Sequence, residues 1–208
     1  MPVATFPLGP LETNSYLLHN ADQAVAVDVG GDPAPMLDYL RKHKLALAAI
    51  CITHRHFDHL YGVATLEQAT DAPVYVPKGD DSLAGTESSQ GGLWGFPPVP
   101  PFSCRPMPEG EVSFGGMDCR VLNTPGHTPG GVSLYFPGEG VVFTGDALFS
   151  RSVGRTDFPG GDHATLLHSV REVLFKLPDA TRVFPGHGPA TSIGDEKLNN
   201  PFCGDFPS

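Results

Sequence analysis

The apolar positions of this chain fall in short runs separated by turns, with helical spacing in a few places. Tyr16-Leu17-Leu18 and Ala24-Val25-Ala26-Val27 predict strands, because turn-forming residues at Asn20-Ala21-Asp22 separate them. The second run ends in Asp28-Val29-Gly30-Gly31. Asp32 then reads as a helix N-cap, with Pro33 at the first helical position and Met36, Leu37 and Leu40 as the apolar stripe. Leu47 to Ile52 predicts a buried strand that runs directly into Thr53-His54-Arg55-His56-Phe57-Asp58-His59. Leu60, Val63 and Ala64 follow at helical spacing, so the histidine cluster is expected on a strand-to-helix turn. Val74-Tyr75-Val76 predicts a short strand between two prolines.

The stretch 78–108 is less regular and carries Trp94, Phe96, Phe102 and a proline-rich run from Pro97 to Pro101. It predicts a long surface excursion, either a lid or interface element or an inert packed insertion. Strand patterns return at Glu111–Phe114, Cys119–Leu122, Val132–Phe136, Val141–Phe143 and Arg182–Phe184. Asp162 is expected to cap an amphipathic helix with Leu166, Leu167, Val170, Val173, Leu174 and Leu177 on its apolar side. From Ser192 onward the chain reads as a polar tail. The element order suggests two similar halves packed as layers in one α/β domain spanning 1–208.

Composition narrows the function classes. The 208 residues carry 13 basic and 23 acidic side chains, for a net charge of −10, which disfavours nucleic acid and anionic membranes as partners. No segment approaches the ~18–20 apolar residues of a membrane span. The N-terminal ten residues lack the basic-then-apolar pattern of a leader. The four cysteines (Cys51, Cys104, Cys119, Cys203) form no paired motif, which suits free thiols in a cytoplasmic protein.

The candidate chemistry is concentrated. Residues 54–59 hold three histidines and one aspartate, and His127, Asp146 and His187 sit at predicted strand ends or in the turns after them. Imidazole with carboxylate suits zinc, iron, manganese or nickel, and the lack of cysteine in the set argues against a thiolate site. Seven ligand-type residues exceed the needs of one tetrahedral ion and suit two ions with a bridging carboxylate. Two ions ~3.5–4 Å apart lower the pKa of a water and polarise a carbonyl together, which suits hydrolysis. His19, His43, His163 and His168 lack this context and are expected to be ordinary surface or capping residues.

These motifs resemble the metallo-β-lactamase superfamily from the first strands to His187, and within it the short bacterial glyoxalase-II-like hydrolases. The narrower likeness lies in Thr144 to Phe149, Ser152 to Asp157, Pro185-Gly186-His187-Gly188-Pro189 and the late run Ile193 to Lys197 with Asn200-Pro201-Phe202. The resemblance implies a four-layer αββα sandwich. It also implies that His54, His56 and His127 hold a first ion, that Asp58, His59 and His187 hold a second, and that Asp146 bridges them. The ions would be zinc first, with iron or mixed zinc–iron as alternatives. Asp58 would double as a proton carrier, Asp28 would be an acid behind the ligands or, equally, a turn residue, and Arg155 would anchor a substrate carboxylate unless it pairs internally with Asp157. The implied activity is hydrolysis of a thioester such as S-D-lactoylglutathione.

The likeness departs at the C-terminus. Full-length glyoxalase II has a helical region that supplies much of the glutathione site, whereas only about twenty residues follow His187 here. The 78–108 excursion, a second subunit, or a substrate without glutathione would resolve this. The aromatic, proline-rich excursion is compatible with a homodimer. Two alternatives stand beside the hydrolase. One is a persulfide dioxygenase with a single iron on His54, His127 and Asp146, a class that shares a Gly-Arg-Thr-Asp stretch like Gly154–Asp157. The other is a non-catalytic metal-binding protein.

Overall fold

Strict alternation along the strands sorts their side chains into three separate cores, and this sorting builds the architecture. The computed structural model describes residues 3–92 and 95–204. A first sheet runs in the order β1 (Val3–Leu8), β2 (Thr13–His19), β3 (Gln23–Val27), β4 (Ala46–Cys51), β5 (Val74–Val76) and β6 (Arg105–Pro106). The first three strands are antiparallel hairpins, and β4, β5 and β6 join in parallel. The second sheet contains β7 (Gly110–Phe114), β8 (Met117–Asn123), β9 (Val132–Phe136) and β10 (Val141–Gly145). After a small hairpin of β11 (Leu148–Phe149) and β12 (Ser152–Val153), it is completed by β13 (Arg182–Pro185), parallel to β10, and β14 (Thr191–Ser192).

Tyr16, Leu18, Val25 and Val27 of the first sheet meet Leu134, Phe136, Phe143 and Phe184 of the second in the central core. Their chain neighbours Leu17, Ala24 and Ala26 face outward against Met36 and Leu40 of α1 (Ala34–His43) and Val63 and Leu66 of α2 (Val63–Thr70). On the far side, Tyr135, Val142 and Val183 pack against Leu166 and Val170 of α4 (His163–Glu172) and Ile193 of α5 (Ile193–Asn199), α3 being the single turn Glu87–Gln90. The result is the expected αββα sandwich.

Several expectations need correction. Helix α1 starts at Ala34, one residue late, with Asp32 Oδ1 accepting from Ala34 N at 3.0 Å. Asp162 does cap α4, accepting from Thr165 N at 2.7 Å, but α4 ends at Glu172 and a short 3-10 turn carries Leu174 and Phe175 into the core. The tail read as polar forms a helix that packs onto the second sheet through its described part. Ser192 accepts from Asp195 N, opening α5, and Ile193, Glu196, Asn200 and Cys203 are buried. The 78–108 excursion is not an external loop either, since Asp80, Leu83, Ser89 and Val99 are buried and β6 extends the first sheet. Trp94 lies outside the described residues. His19 is buried, with Nε2 3.0 Å from Tyr39 Oη, whereas His43, His163 and His168 are exposed as expected.

Glu196 ties α5 to the sheet edge. Its carboxylate accepts from Arg151 N at 2.8 Å, Thr191 Oγ1 at 2.7 Å and Asn200 Nδ2 at 2.8 Å. Glu196→Ala strands these donors, so it is expected to lower the unfolding free energy by about 2–3 kcal/mol, read from urea denaturation.

Candidate metal centre

The residues that follow β3, β4, β10 and β13 and the β8–β9 loop converge at one edge of the paired sheets. His54 and His56 leave the end of β4, Asp58 and His59 lie in a 3-10 turn directly after, and His127 sits between β8 and β9. Asp146 follows β10 and His187 follows β13. The structure brings all seven together. Single ligand atoms from His54, His56 and His127 lie within 4.8 Å of one another, as do those from Asp58, His59 and His187. Asp146 stands between the two triads, with Oδ2 3.5 Å from His127 Nε2 and Oδ1 3.4 Å from His59 Nε2.

These residues fit metal ions on two independent observations. The first is unmet valence. Among the described residues, His54, His56, His59 and His127 Nε2 and Asp146 Oδ1 are buried without a hydrogen-bond partner, along with Arg55 Nε in the same loop. Buried polar atoms left unpaired are costly, and five of them pointing into one space require an occupant that accepts lone pairs. The second is tautomer control. His59 Nδ1 donates to Asp28 Oδ2 at 2.8 Å, and His127 Nδ1 donates to the Arg155 carbonyl at 2.7 Å. Thr53 Oγ1 donates its proton to Asp28 Oδ2 at 2.8 Å, which leaves Thr53 Oγ1 to accept from His54 Nδ1 at 3.0 Å. In all three rings the proton is fixed on Nδ1 and the Nε2 lone pair faces inward, as a metal-ligating imidazole requires.

The electrostatics agree. Burial, with His59, His127 and His56 nearby, pushes His54 far below the usual imidazole range, and burial with His127 takes His56 down to about 3. Both are neutral ligands near pH 7. His59 goes the other way: burial opposes its charge, but Asp58, Asp28 and Asp146 together raise it. Asp58 is held low against its own burial by His59 and His187. Three carboxylates around one space thus create a field that favours a cation.

Two residues do work behind the ligands. Asp28 has φ +54°, a left-handed conformation that costs an L-residue about a kcal/mol and that Asp tolerates better than most. There its Oδ1 accepts from Thr53 N and its Oδ2 reaches His59. Asp80, within the supposed excursion, escaped the sequence analysis altogether. It is fully buried and accepts from Arg55 N at 2.9 Å, Thr128 Oγ1 at 3.0 Å and Gly130 N at 2.6 Å. It therefore staples the loop between His54 and His56 to the loop that follows His127. Burial raises its pKa while these donors oppose the rise. No local motif marks it, because its partners are 25 to 50 positions away.

Access comes from a cavity of about 450 Å³ whose floor includes His56, Asp58, His127, Asp146 and His187. Leu11, Phe57, Phe96, Phe149 and Phe158 form walls, and Arg155 reaches the rim. A larger, more open groove of about 890 Å³ between Glu67 and Arg105 contains none of the seven residues. Arg155 itself is paired internally: Nε and Nη2 donate to the Asp157 carboxylate, each at 2.6 Å.

An αββα sandwich with a buried His/Asp cluster at its strand ends defines a class of metallo-hydrolases. The chain belongs to the metallo-beta-lactamase superfamily, whose profile matches residues 8–187. It is 32% identical to the hydroxyacylglutathione hydrolase GloC of Haemophilus influenzae, covering 97% of this chain and 98% of that protein. Among solved structures it is similar to the B3 metallo-beta-lactamase BLEG-1, with a TM-score of 0.90 and 38% identity, covering 97% of this chain and 99% of that one. It is also similar to TTHA1623 in a di-iron-bound form, with a TM-score of 0.86 and 42% identity, over 96% of this chain and 99% of that one. ETHE1 from Myxococcus xanthus gives a TM-score of 0.77 at 32% identity, over 98% of this chain and 84% of that one. Among the described residues no helix is long and apolar enough to cross a membrane.

Two outcomes test this geometry. Asp28→Ala frees the His59 ring and is expected to weaken metal binding by about 10–100-fold, measured by chelator competition. At Gly186 a Cβ would collide with Asp146 Oδ1 and lie 2.7 Å from His59 Cε1. Gly186→Ala is therefore expected to lower the bound metal per chain, read by elemental analysis, while far-UV circular dichroism stays native.

Proposed function

We propose that this chain is a metal-dependent hydrolase of small acyl thioesters, of the glyoxalase-II type. The observation that carries the reading is the pair of adjacent triads, buried except for the half-buried His187, with the Asp146 carboxylate between them. His54, His56 and His127 are assigned to one ion and Asp58, His59 and His187 to the second, with Asp146 shared. Zinc suits the donor set, and the di-iron form of TTHA1623 supports iron or a mixed pair as the alternative. Such ions would supply Lewis acidity toward a carbonyl and a water acidified toward neutral pH.

The chain's own groups do the rest. The apolar cavity walls would shield a bound acyl group from bulk water. Asp58 lines the cavity and is oriented by Thr13, whose Oγ1 donates to its Oδ2 at 2.9 Å. It is the group placed to take a proton from the attacking water and return it to the departing sulfur. Overall, water oxygen bonds to the thioester carbon, the carbon–sulfur bond breaks with its electron pair on sulfur, and a carboxylic acid and a thiol result. The name of the GloC relative supports a hydroxyacyl thioester as the reference substrate.

The likeness to ETHE1 supports a second reading, in which one iron on His54, His127 and Asp146 serves persulfide oxidation. The Asp58, His59 and His187 triad has no use in that reading, which favours the hydrolase.

Protein reconstituted with zinc or iron is expected to hydrolyse S-D-lactoylglutathione, and His54→Ala is expected to lower kcat/KM at least a hundredfold. Oxygen uptake with glutathione persulfide, without thioester turnover, would overturn the hydrolase in favour of the oxygenase.

A further inference from the structure

The base of the cavity carries the His/Asp cluster, and apart from Arg155 its walls are mainly aromatic or aliphatic. Phe57 and Phe96 pack with ring centroids 5.2 Å apart, and Tyr61 Oη, donating to the Pro97 carbonyl at 3.0 Å, holds the segment that carries Phe96. Phe158 stands edge-on to His56 at 5.6 Å and Phe149 edge-on to His187 at 6.2 Å. Leu11, 42% exposed, is one of the few large apolar side chains left in water and lies at the cavity lip. Aromatic or aliphatic surface thus flanks the ligand cluster on several sides.

Arg155 is the one Lys or Arg side chain among the described lining residues. Asp157 engages its guanidinium through two hydrogen bonds, and its Cζ sits 4.1 Å over the Phe158 ring. Turning Arg155 toward a substrate carboxylate would exchange one bidentate pair for another. It would also leave the Asp157 charge unpaired beside the incoming anion. The swap therefore yields little net attraction for a carboxylated substrate.

Resting on the thioester reading, we propose that the cavity selects an uncharged thioester with an apolar acyl chain. The Asp157 carboxylate occupies Arg155 and so disfavours substrates that carry carboxylates of their own. In this arrangement the carbonyl meets the ligand cluster and the acyl chain lies against Phe57, Phe96 and Phe158. Apolar contact there gains about fourfold in affinity for each methylene that leaves water.

The test uses stable thioethers, so that binding is read apart from turnover. Zinc-loaded protein is titrated calorimetrically with S-methyl- and S-hexyl-N-acetylcysteamine and with S-hexylglutathione. The hexyl compound is expected to bind at least tenfold tighter than the methyl compound, and tighter than S-hexylglutathione. Phe96→Ala should shrink the hexyl-to-methyl ratio. Asp157→Asn should shrink the preference for the neutral compound over S-hexylglutathione about threefold, in keeping with an exposed ion pair. Equal methyl and hexyl affinity, or tighter binding of S-hexylglutathione by the unmodified protein, would overturn the proposal. Turnover of the matching hexanoyl and lactoyl thioesters is measured alongside. Binding in the expected order with no turnover of either thioester would overturn the thioester reading and leave the apolar selectivity. Turnover with the reverse binding order would overturn the selectivity and leave the thioester reading.

Discussion

The arrangement that everything else serves is the gathering of three carboxylates, Asp28, Asp58 and Asp146, around the fully buried imidazole of His59 at the base of the cavity. Like charges buried together repel and lose hydration, so the cluster exists only because each oxygen has a donor or faces the place of a cation. Thr53 and His59 satisfy Asp28, and Thr13 with His187 satisfies Asp58 Oδ2. Asp146 Oδ1 has no such partner. Asp146 Oδ1 thus joins the four unpartnered imidazole Nε2 atoms, in the position where a cation would gain most from an anion.

The sandwich makes this enclosure affordable through register. Strands β3, β4, β10 and β13 all end at one edge, so Asp28, His54, Asp146 and His187 are delivered by rigid elements whose other residues are locked into cores. The two sheets are also joined there by main chain: Asn14 N donates to the Gly186 carbonyl at 2.8 Å and Val132 N to the Thr53 carbonyl at 2.9 Å. Tyr16 Oη adds a bond to the Pro185 carbonyl at 2.6 Å. A shift of one sheet against the other would break these bonds and separate the triads together, which makes the geometry of the site a property of the whole sandwich.

What the sequence disclosed and what it hid follow the same physics. The cluster at 54–59 was legible because its residues are adjacent and a strand-to-helix turn is a local pattern. His127, Asp146 and His187 were legible because each stands beside a glycine at a strand end or in the turn after one. The strands emerged from short continuous apolar runs bounded by turn residues, since β2, β9 and β10 are buried on both faces. Asp80 was invisible, because an aspartate in an irregular segment reads as solvent-facing until its distant donors are known. Helix α5 was obscured by polar content, although Ser192 with Asp195 three positions on is a capping signal. For Arg155 the sequence left open an internal pair with Asp157, and the folded chain adopts that pair.

Chemistry and selectivity are carried by different parts of the chain, with one junction between them. The ligands sit on or beside strand ends, whereas Leu11, Phe96 and Phe158 come from connecting segments that lie outside the named strands and helices. Such segments can exchange side chains without moving the His/Asp cluster, so the lining of the cavity is free to vary while the donor set stays fixed. Arg155 is the junction, since its carbonyl orients His127 while its side chain lines the cavity, paired with Asp157 and lying over Phe158. The contact to His127 is made by main chain, which any residue at that position supplies. Altering the side chain therefore changes what the wall recognises while leaving the His127 proton on Nδ1 and its lone pair directed at the centre.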